Sequence, residues 1–139
     1  MVRSEPDNGH EIEIRSQSDV ILARRAGRMM ARDLGFGTAD QTRLATAISE
    51  LARNALTYGG GGSCYVSDSS DDRYIRVQVR IEDHGPGIED IELALMDGYS
   101  TGGSLGAGLP GARRLVQDFK IESGPGGTTV SVMIIRPRR

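Results

Sequence analysis

Glu50 and Asn54 stand four residues apart in the segment ISELARNAL, which has the apolar spacing of a helix. Residues at this spacing lie on one face of a helix, so both side chains can reach the same ligand. A carboxylate can act as general base on a hydroxyl, and an amide oxygen is a hard ligand that suits Mg²⁺. Glu and Asn are also common at this spacing on ordinary helix surfaces, so the pair alone does not establish a site.

A second cluster, EDHGPGIED, follows directly after a strand-like segment. Asp83 is displayed at the strand end, and Gly85 and Gly87 let the backbone turn and approach a planar ligand. Such a carboxylate can accept hydrogen bonds from an exocyclic amine of the kind that adenine presents. A plain tight turn is the alternative, and His84 is interpreted as a turn residue.

The third cluster is STGGSLGAGLPGARRL at residues 100–115. Its glycines predict a loop with free amide groups that leads into a helix beginning at Leu109, with Pro110 in an early position. A helix N-terminus stabilises phosphate oxygens through unpaired amides and partial positive charge. The alternative is a flexible linker. The candidate phosphate contacts are Ser100, Thr101, Gly102, Gly103, Gly106, Ala107, Gly108 and Leu109.

These clusters must be positioned by a small number of helices and strands. We expect a helix capped by Ser18 or Asp19 that Gly35 closes, and a second helix opened by Thr38, with Gln41 in the capping-box position, that ends near Tyr58 before GGGG. The other predicted elements are strands at 10–16, 64–66, 74–81, 120–123 and 128–135, a short helix at 90–96, a loop at 97–108 and a third helix from 109 to 118 or 119. Segregated helices and strands predict an α+β sandwich with helices on a mixed sheet.

Length and composition limit the possible functions. The 139 residues fit one domain, which we place at 10–136 between a disordered N-terminus at 1–9 and a basic tail at 137–139. A net charge of -2 argues against a nucleic-acid partner. The single cysteine, Cys64, is interpreted as a bystander. Because no signal peptide or long apolar run is present, we expect a cytoplasmic protein without a membrane partner.

One helix face is rich in arginine, with Arg24, Arg25, Arg28 and Arg32 at helical spacing. This face is either a solvated surface or a partner-binding face.

Two common kinase frameworks are missing from the chain. There is no P-loop motif, the only lysine is Lys120, and neither H-R-D nor D-F-G occurs. Phosphoryl transfer by this chain would need a different framework.

In order and spacing, the three clusters resemble the N, G1 and G2 boxes of the GHKL ATPase superfamily, and GGTTV at 126–130 resembles its last box. The resemblance covers the chain from about Ile14 to Ile135. It implies the two-layer α/β sandwich called the Bergerat fold, with ATP and Mg²⁺ as cofactors.

Within that superfamily, the segments at 33–56, 82–91 and 97–119 resemble the RsbT-type switch serine kinases of stressosome pathways. Anti-sigma kinases of the SpoIIAB and RsbW type share the boxes, but their lids do not usually read GGSLGAGLPG. The resemblance therefore implies a protein serine/threonine kinase. Two alternatives are an anti-sigma factor with ATP-dependent sigma capture and a nucleotide-binding coactivator whose kinase activity is weak or lost.

The resemblance also implies roles for individual residues. It assigns Asn54 to Mg²⁺, Asp83 to the adenine amino group and Glu50 to activation of the attacking hydroxyl. Gly85 and Gly87 would form the turn beside the adenine.

The remaining implied contacts involve both ends of the nucleotide and other proteins. Gly106, Gly108 and the first amides of the third helix would contact phosphates, and Thr128 would lie by the adenine. The phosphate acceptor would be a STAS-domain protein, and a PP2C-type phosphatase would be a second partner.

Overall fold

The computed structural model describes residues 2–5, 9–96 and 105–138. Strands and helices alternate irregularly along these ranges. In chain order they are β1 (Val2–Glu5), β2 (Gly9–Ile14), α1 (Gln17–Leu34), α2 (Thr38–Gly59), β3 (Gly62–Asp68), β4 (Tyr74–Asp83), α3 (Ile91–Ala94), α4 (Leu105–Arg114), β5 (Asp118–Gly124) and β6 (Gly127–Pro137).

The six strands form one sheet in the order β1-β2-β3-β4-β6-β5. Every described pair is antiparallel, so the prediction of a mixed sheet is wrong in this respect. Hairpins join β3 to β4 and β5 to β6, and β6 then pairs with β4. The predicted α+β class and two-layer arrangement are confirmed, and β4 lies near the centre of the sheet between β3 and β6.

One face of the sheet is covered by the helices. Along β4 the side chains of Ile75, Val77, Val79 and Ile81 are buried, whereas the residues between them are more exposed. This period of two is the pattern of a strand with one covered face. The core continues through α1 and α2, which approach closely at Gly27. A Cβ atom there would lie 2.2 Å from Ile48 Cδ1.

The capping residues of both long helices differ from those predicted. Ser16 caps α1, and Asp19 Oδ2 accepts a hydrogen bond from the Ser16 backbone N–H at 3.1 Å. Gly37 caps α2, so Thr38 is the first helical residue rather than the cap. Gln41 donates to the Phe36 carbonyl at 2.9 Å. The helix ends are confirmed, because Gly35 closes α1 with φ 101° and Gly60 closes α2 with φ 74°.

Helix α4 runs from Leu105 to Arg114, so it begins four residues before the predicted start and ends earlier than predicted. Glycine is unfavourable in helices, but burial outweighs that cost here because Leu109 is only 2% exposed and Ala112 is fully buried. Pro110 consequently lies in the second turn.

The chain ends also differ from their predictions. Val2–Glu5, predicted as disordered, forms β1 on the edge of β2, because backbone pairing does not require an apolar sequence. Pro137 ends β6, and Arg138 Nε donates to the Asp71 carbonyl at 2.6 Å, so the predicted basic tail is anchored up to that residue. Within the described ranges, no helix has the length and apolarity to cross a membrane.

Candidate active site

A cleft lies between the C-terminal half of α2, the C-terminal end of β4, the start of β6 and the first half of α4. It has mostly apolar walls with the polar groups of Asn54, Asp83 and Thr128, which is the usual composition of a small-molecule site. The residues that line it are Leu51, Asn54, Ala55, Tyr58, Gly59, Ile81, Asp83, Gly87, Ile88, Leu109, Thr128 and Val130. The structure thus brings together residues from all three predicted clusters and from GGTTV.

Asp83, the last residue of β4, is held by two backbone amides. Its Oδ1 accepts hydrogen bonds from Gly85 N at 2.9 Å and from Thr128 N at 3.3 Å. Among the described residues, no group donates to Oδ2. The carboxylate is therefore oriented by one oxygen, and the other is available to a ligand.

Glycine is required around Asp83 for steric reasons. A Cβ atom on Gly59 would lie 2.3 Å from Asp83 Cγ, and one on Gly85 would lie 2.6 Å from Gly59 Cα. The end of α2 and the turn after β4 therefore pack backbone against backbone. A side chain at Gly59 would displace the carboxylate, and one at Gly85 would collide with the backbone of Gly59.

Gly87 has a φ of 86°, in the left-handed region that favours glycine. It lies against the β5–β6 turn, and Ser123 joins the two turns. Ser123 Oγ accepts from Ile88 N at 2.7 Å and lies 2.7 Å from Thr128 Oγ1. The turn beside Asp83 is consequently fixed to the start of β6.

Asn54 projects from α2 toward α4. Its Nδ2 is buried and has no hydrogen-bond partner among the described residues. A Cβ atom on Gly108 would lie 2.8 Å from that nitrogen, so the helix start can approach Asn54 only with glycine at this position. An unpaired buried polar group costs about 1–3 kcal/mol, which is recovered if a ligand binds to it.

Glu50 lies one turn before Asn54 on α2, but it does not line the cleft. Its Oε1 is 3.2 Å from Arg53 Nη1, and its side chain is 36% exposed. The carboxylate therefore lies at the surface beside the cleft, where a group on another protein can reach it.

The lid cluster is only partly described. Ser100, Thr101, Gly102 and Gly103 lie outside the described residues. Gly106 and Ala107 belong to the first turn of α4, and Gly108 and Leu109 follow them in the same helix. The structure therefore places the second half of the predicted lid within α4 rather than in a loop.

Sequence reasoning missed several residues of the cleft. Leu51 and Ala55 belong to the apolar stripe of α2, where nothing local distinguishes a cleft wall from the core. In the sequence, Tyr58 and Gly59 indicate only a helix end. Ser123, which supports the turn beside the cleft, lies in no motif, and its contact with Ile88 joins residues 35 positions apart.

Cys64 lies in the hydrophobic core and does not line the cleft. It is fully buried, and burial raises its pKa to about 12. Because the thiolate is the nucleophilic form, this cysteine is unreactive at neutral pH. The interpretation of Cys64 as a bystander agrees with this environment.

Residues 39–138 match the model of the family described as histidine kinase-, DNA gyrase B- and HSP90-like ATPase. This match covers more than half of the chain, so the chain belongs to that family, and the assignment implies ATP binding. The predicted Bergerat fold is confirmed by the same match.

The chain is also 45% identical over 123 residues to the serine/threonine-protein kinase RsbT of Bacillus subtilis (strain 168). The aligned region is 88% of this chain and 92% of that protein. This chain is thus an RsbT homologue, an ATP-dependent serine/threonine kinase of the RsbT type.

Solved structures agree on the fold. The RsbU and RsbW domains of Rv1364c from Mycobacterium tuberculosis give a TM-score of 0.66 at 23% identity, covering 99% of this chain and 35% of that one. The mycobacterial sensor histidine kinase MprB gives a TM-score of 0.58 at 18% identity, covering 92% of this chain and 98% of that one. At these identities the likeness concerns the fold alone.

Proposed function

We propose that this chain transfers the γ-phosphoryl group of ATP to a serine or threonine of a STAS-domain protein in the cytoplasm. The main support is the convergence of Asn54, Asp83 and Thr128 on one apolar cleft in a chain 45% identical to a serine/threonine kinase. The STAS-domain substrate is supported by the resemblance of the lid segment to RsbT-type kinases.

The adenine would lie in the apolar part of the cleft with its exocyclic amine toward Asp83. Oδ2 accepts the hydrogen bond from that amine, while the two backbone N–H groups on Oδ1 prevent the carboxylate from rotating. A bond to a charged acceptor is stronger than one between neutral groups. Thr128, 9% exposed, bounds the cleft on the same side.

The phosphates would extend toward Asn54 and the start of α4. The described residues contain no group of three or more His, Cys, Asp or Glu side chains that could hold a metal. The amide oxygen of Asn54 would be one ligand of Mg²⁺, with phosphate oxygens and water as the others, as is common for this ion. When bound, Mg²⁺ supplies charge neutralisation at the phosphates. The backbone amides of the first turn of α4 would stabilise the same negative charge.

Glu50 would receive the proton of the attacking hydroxyl. As the hydroxyl oxygen bonds to the γ-phosphorus, the bond from phosphorus to the β–γ bridging oxygen breaks and ADP leaves. The ion pair with Arg53 restrains the carboxylate at the edge of the cleft. Catalysis of this kind depends mainly on positioning and charge stabilisation.

The test is phosphate transfer from labelled ATP, with Mg²⁺, to a STAS-domain protein encoded near this chain. We expect label on a serine or threonine with the native chain and none with Asn54→Ala. Asp72→Ala, an exposed change in the β3–β4 loop, serves as the control and keeps full transfer. No transfer by the native chain, together with tight capture of a sigma factor, would reject the kinase–substrate assignment in favour of an anti-sigma role.

A second role follows if the kinase leaves its phosphorylated substrate. We propose that the released chain binds a PP2C-type phosphatase and raises its activity. This role needs binding and no phosphoryl transfer. Glu50→Ala should therefore activate the phosphatase as well as the native chain does. A phosphatase that stays inactive when the native chain is added would contradict the proposal.

A further inference from the structure

Six side chains form a continuous stripe on the outer face of α1, which we call the α1 stripe. They recur at intervals of three or four residues, so they lie on one side of the helix, and all six are exposed. The stripe consists of Ile21, Arg24, Arg25, Arg28, Met29 and Arg32. Together with Gln41 of α2 these side chains line a shallow groove of about 420 Å³.

The arginines of the stripe have few carboxylate partners. Arg24, Arg25 and Arg28 form no ion pair with any described residue, and Arg32 contacts only its neighbour Asp33, at 3.2 Å. Several other arginines pair with carboxylates, among them Arg136, whose Nε lies 2.8 Å from Asp40 Oδ2. The positive charge of the stripe is therefore largely uncompensated on a chain whose net charge is -2.

This arrangement does not help α1 to fold. Arg28 lies three or four residues from Arg24, Arg25 and Arg32, and like charges at these spacings oppose helix formation. Only Arg32 is in the last turn, where the helix dipole favours a cation. On a face that only contacts solvent, alternating charges would stabilise the helix more than a row of like charges does. The stripe is therefore better explained by binding.

Two apolar side chains belong to the stripe, Ile21 before the arginines and Met29 between Arg28 and Arg32. Ile21 is 48% exposed and Met29 is 44% exposed, and they are two of only four large hydrophobic residues exposed in the described ranges. Arginine and methionine are enriched at protein interfaces, and their long side chains offer apolar surface as well as charge. A groove with this composition suits an amphipathic segment with acidic residues beside its apolar face.

The stripe lies on the helix that supports the active site. Gly27, which is between the arginines in sequence, packs against Ile48, two residues before Glu50 on α2. None of the six stripe residues lines the nucleotide cleft. A partner can therefore bind to the stripe while ATP occupies the cleft.

We propose that the α1 stripe is a docking surface for an acidic amphipathic helix of a partner protein, separate from the nucleotide site. The proposal does not depend on the STAS-domain assignment, because the stripe is defined by its own charge and exposure. The probe is a synthetic 18-residue helical peptide with leucines on one face and glutamates along both sides of that face. A scrambled peptide of the same composition, without an amphipathic face, is the control ligand.

Binding is measured by fluorescence anisotropy at low salt with the full chain. Arg25→Glu/Arg28→Glu should weaken peptide binding by about tenfold, since two attractive pairs are replaced by repulsion. Arg73→Glu/Lys120→Glu makes the same change in net charge at exposed positions elsewhere and should stay within about twofold of the native chain. Equal weakening by both double variants would overturn the proposal by showing a general charge effect.

The apolar part of the interaction is tested separately. Ile21→Gln/Met29→Gln should weaken peptide binding by about fivefold, whereas Met96→Gln, at a residue 58% exposed outside the stripe, should not. ATP affinity should be the same with and without the peptide. No measurable peptide binding, equal binding of the scrambled peptide, or competition between peptide and ATP would each overturn the proposal.

Discussion

Replacing Asp83 by Asn tests whether this carboxylate recognises the base of the nucleotide. In the native chain, Oδ1 accepts from Gly85 N at 2.9 Å and Thr128 N at 3.3 Å. An Asn side chain keeps both bonds only if its single oxygen takes the Oδ1 position. Its amide nitrogen then takes the Oδ2 position and faces the exocyclic amine of adenine, so that two donors oppose each other.

The expected loss of affinity follows from these two changes. A hydrogen bond to a charged group contributes about 1.5–3 kcal/mol, and leaving a donor unpaired costs about 1–3 kcal/mol more. The sum is at least about 2.5 kcal/mol, which corresponds to ATP binding at least about 60-fold weaker. Folding is little affected, because both backbone amides keep their acceptor, and the free energy of unfolding should change by less than about 1 kcal/mol.

Calorimetric titration with ATP and with ITP provides the assay. ITP has a carbonyl oxygen where ATP has the exocyclic amine, so it should be repelled by Asp83 and accept a hydrogen bond from the amide of Asp83→Asn. We expect the native chain to prefer ATP and the variant to lose or reverse that preference. Asp72→Asn is the control. An ATP affinity within twofold of the native value, or equal losses for ATP and ITP in a folded variant, would refute the reasoning.

Three further predictions concern the cleft and the fold. Gly108→Ala places a methyl group 2.8 Å from Asn54 Nδ2, so calorimetry should show ATP affinity lower by about tenfold. Arg136→Ala leaves the carboxylate of Asp40, 10% exposed, without its main partner and should lower the free energy of unfolding at pH 7, measured as a lower midpoint in urea titrations. The hydrogen bond from Arg136 lowers the pKa of Asp40, so this contribution is present above about pH 4 and is lost as the pH falls through the lowered pKa. Glu50→Ala should leave ATP affinity unchanged and slow single-turnover phosphate transfer by about 10²–10⁴-fold.

Each of these variants has a matched control. Gly111→Ala adds a methyl group to the same helix where no atom lies within 4 Å, and it should bind ATP normally. Arg73→Ala removes an exposed arginine, and a stability loss equal to that of Arg136→Ala would reject the role of the ion pair. Glu89→Ala removes an exposed carboxylate, and an equal rate in Glu50→Ala and the native chain would mean that Glu50 has a structural role only.

Much of the fold could be predicted because its determinants are local. The apolar spacing in α1 and α2 requires only the helical period, and Gly35 and Gly60 end these helices because they adopt positive φ angles. The alternation in β4 likewise follows from one covered face. The candidate chemistry of Asn54 and Asp83 could also be predicted from the sequence, because residue type and neighbouring glycines indicate what such groups can bind.

Tertiary contacts decided the features that local rules predicted wrongly or not at all. Local propensity disfavours a glycine-rich first turn, and α4 forms there because Leu109 is buried against α2. The bond between Thr128 N and Asp83 Oδ1 joins residues 45 positions apart, and the Asp40–Arg136 pair joins residues 96 apart. The sequence by itself determined the elements and the types of group available for chemistry. Only the folded chain decided which groups meet, because packing and hydrogen bonding between distant segments have no local periodicity.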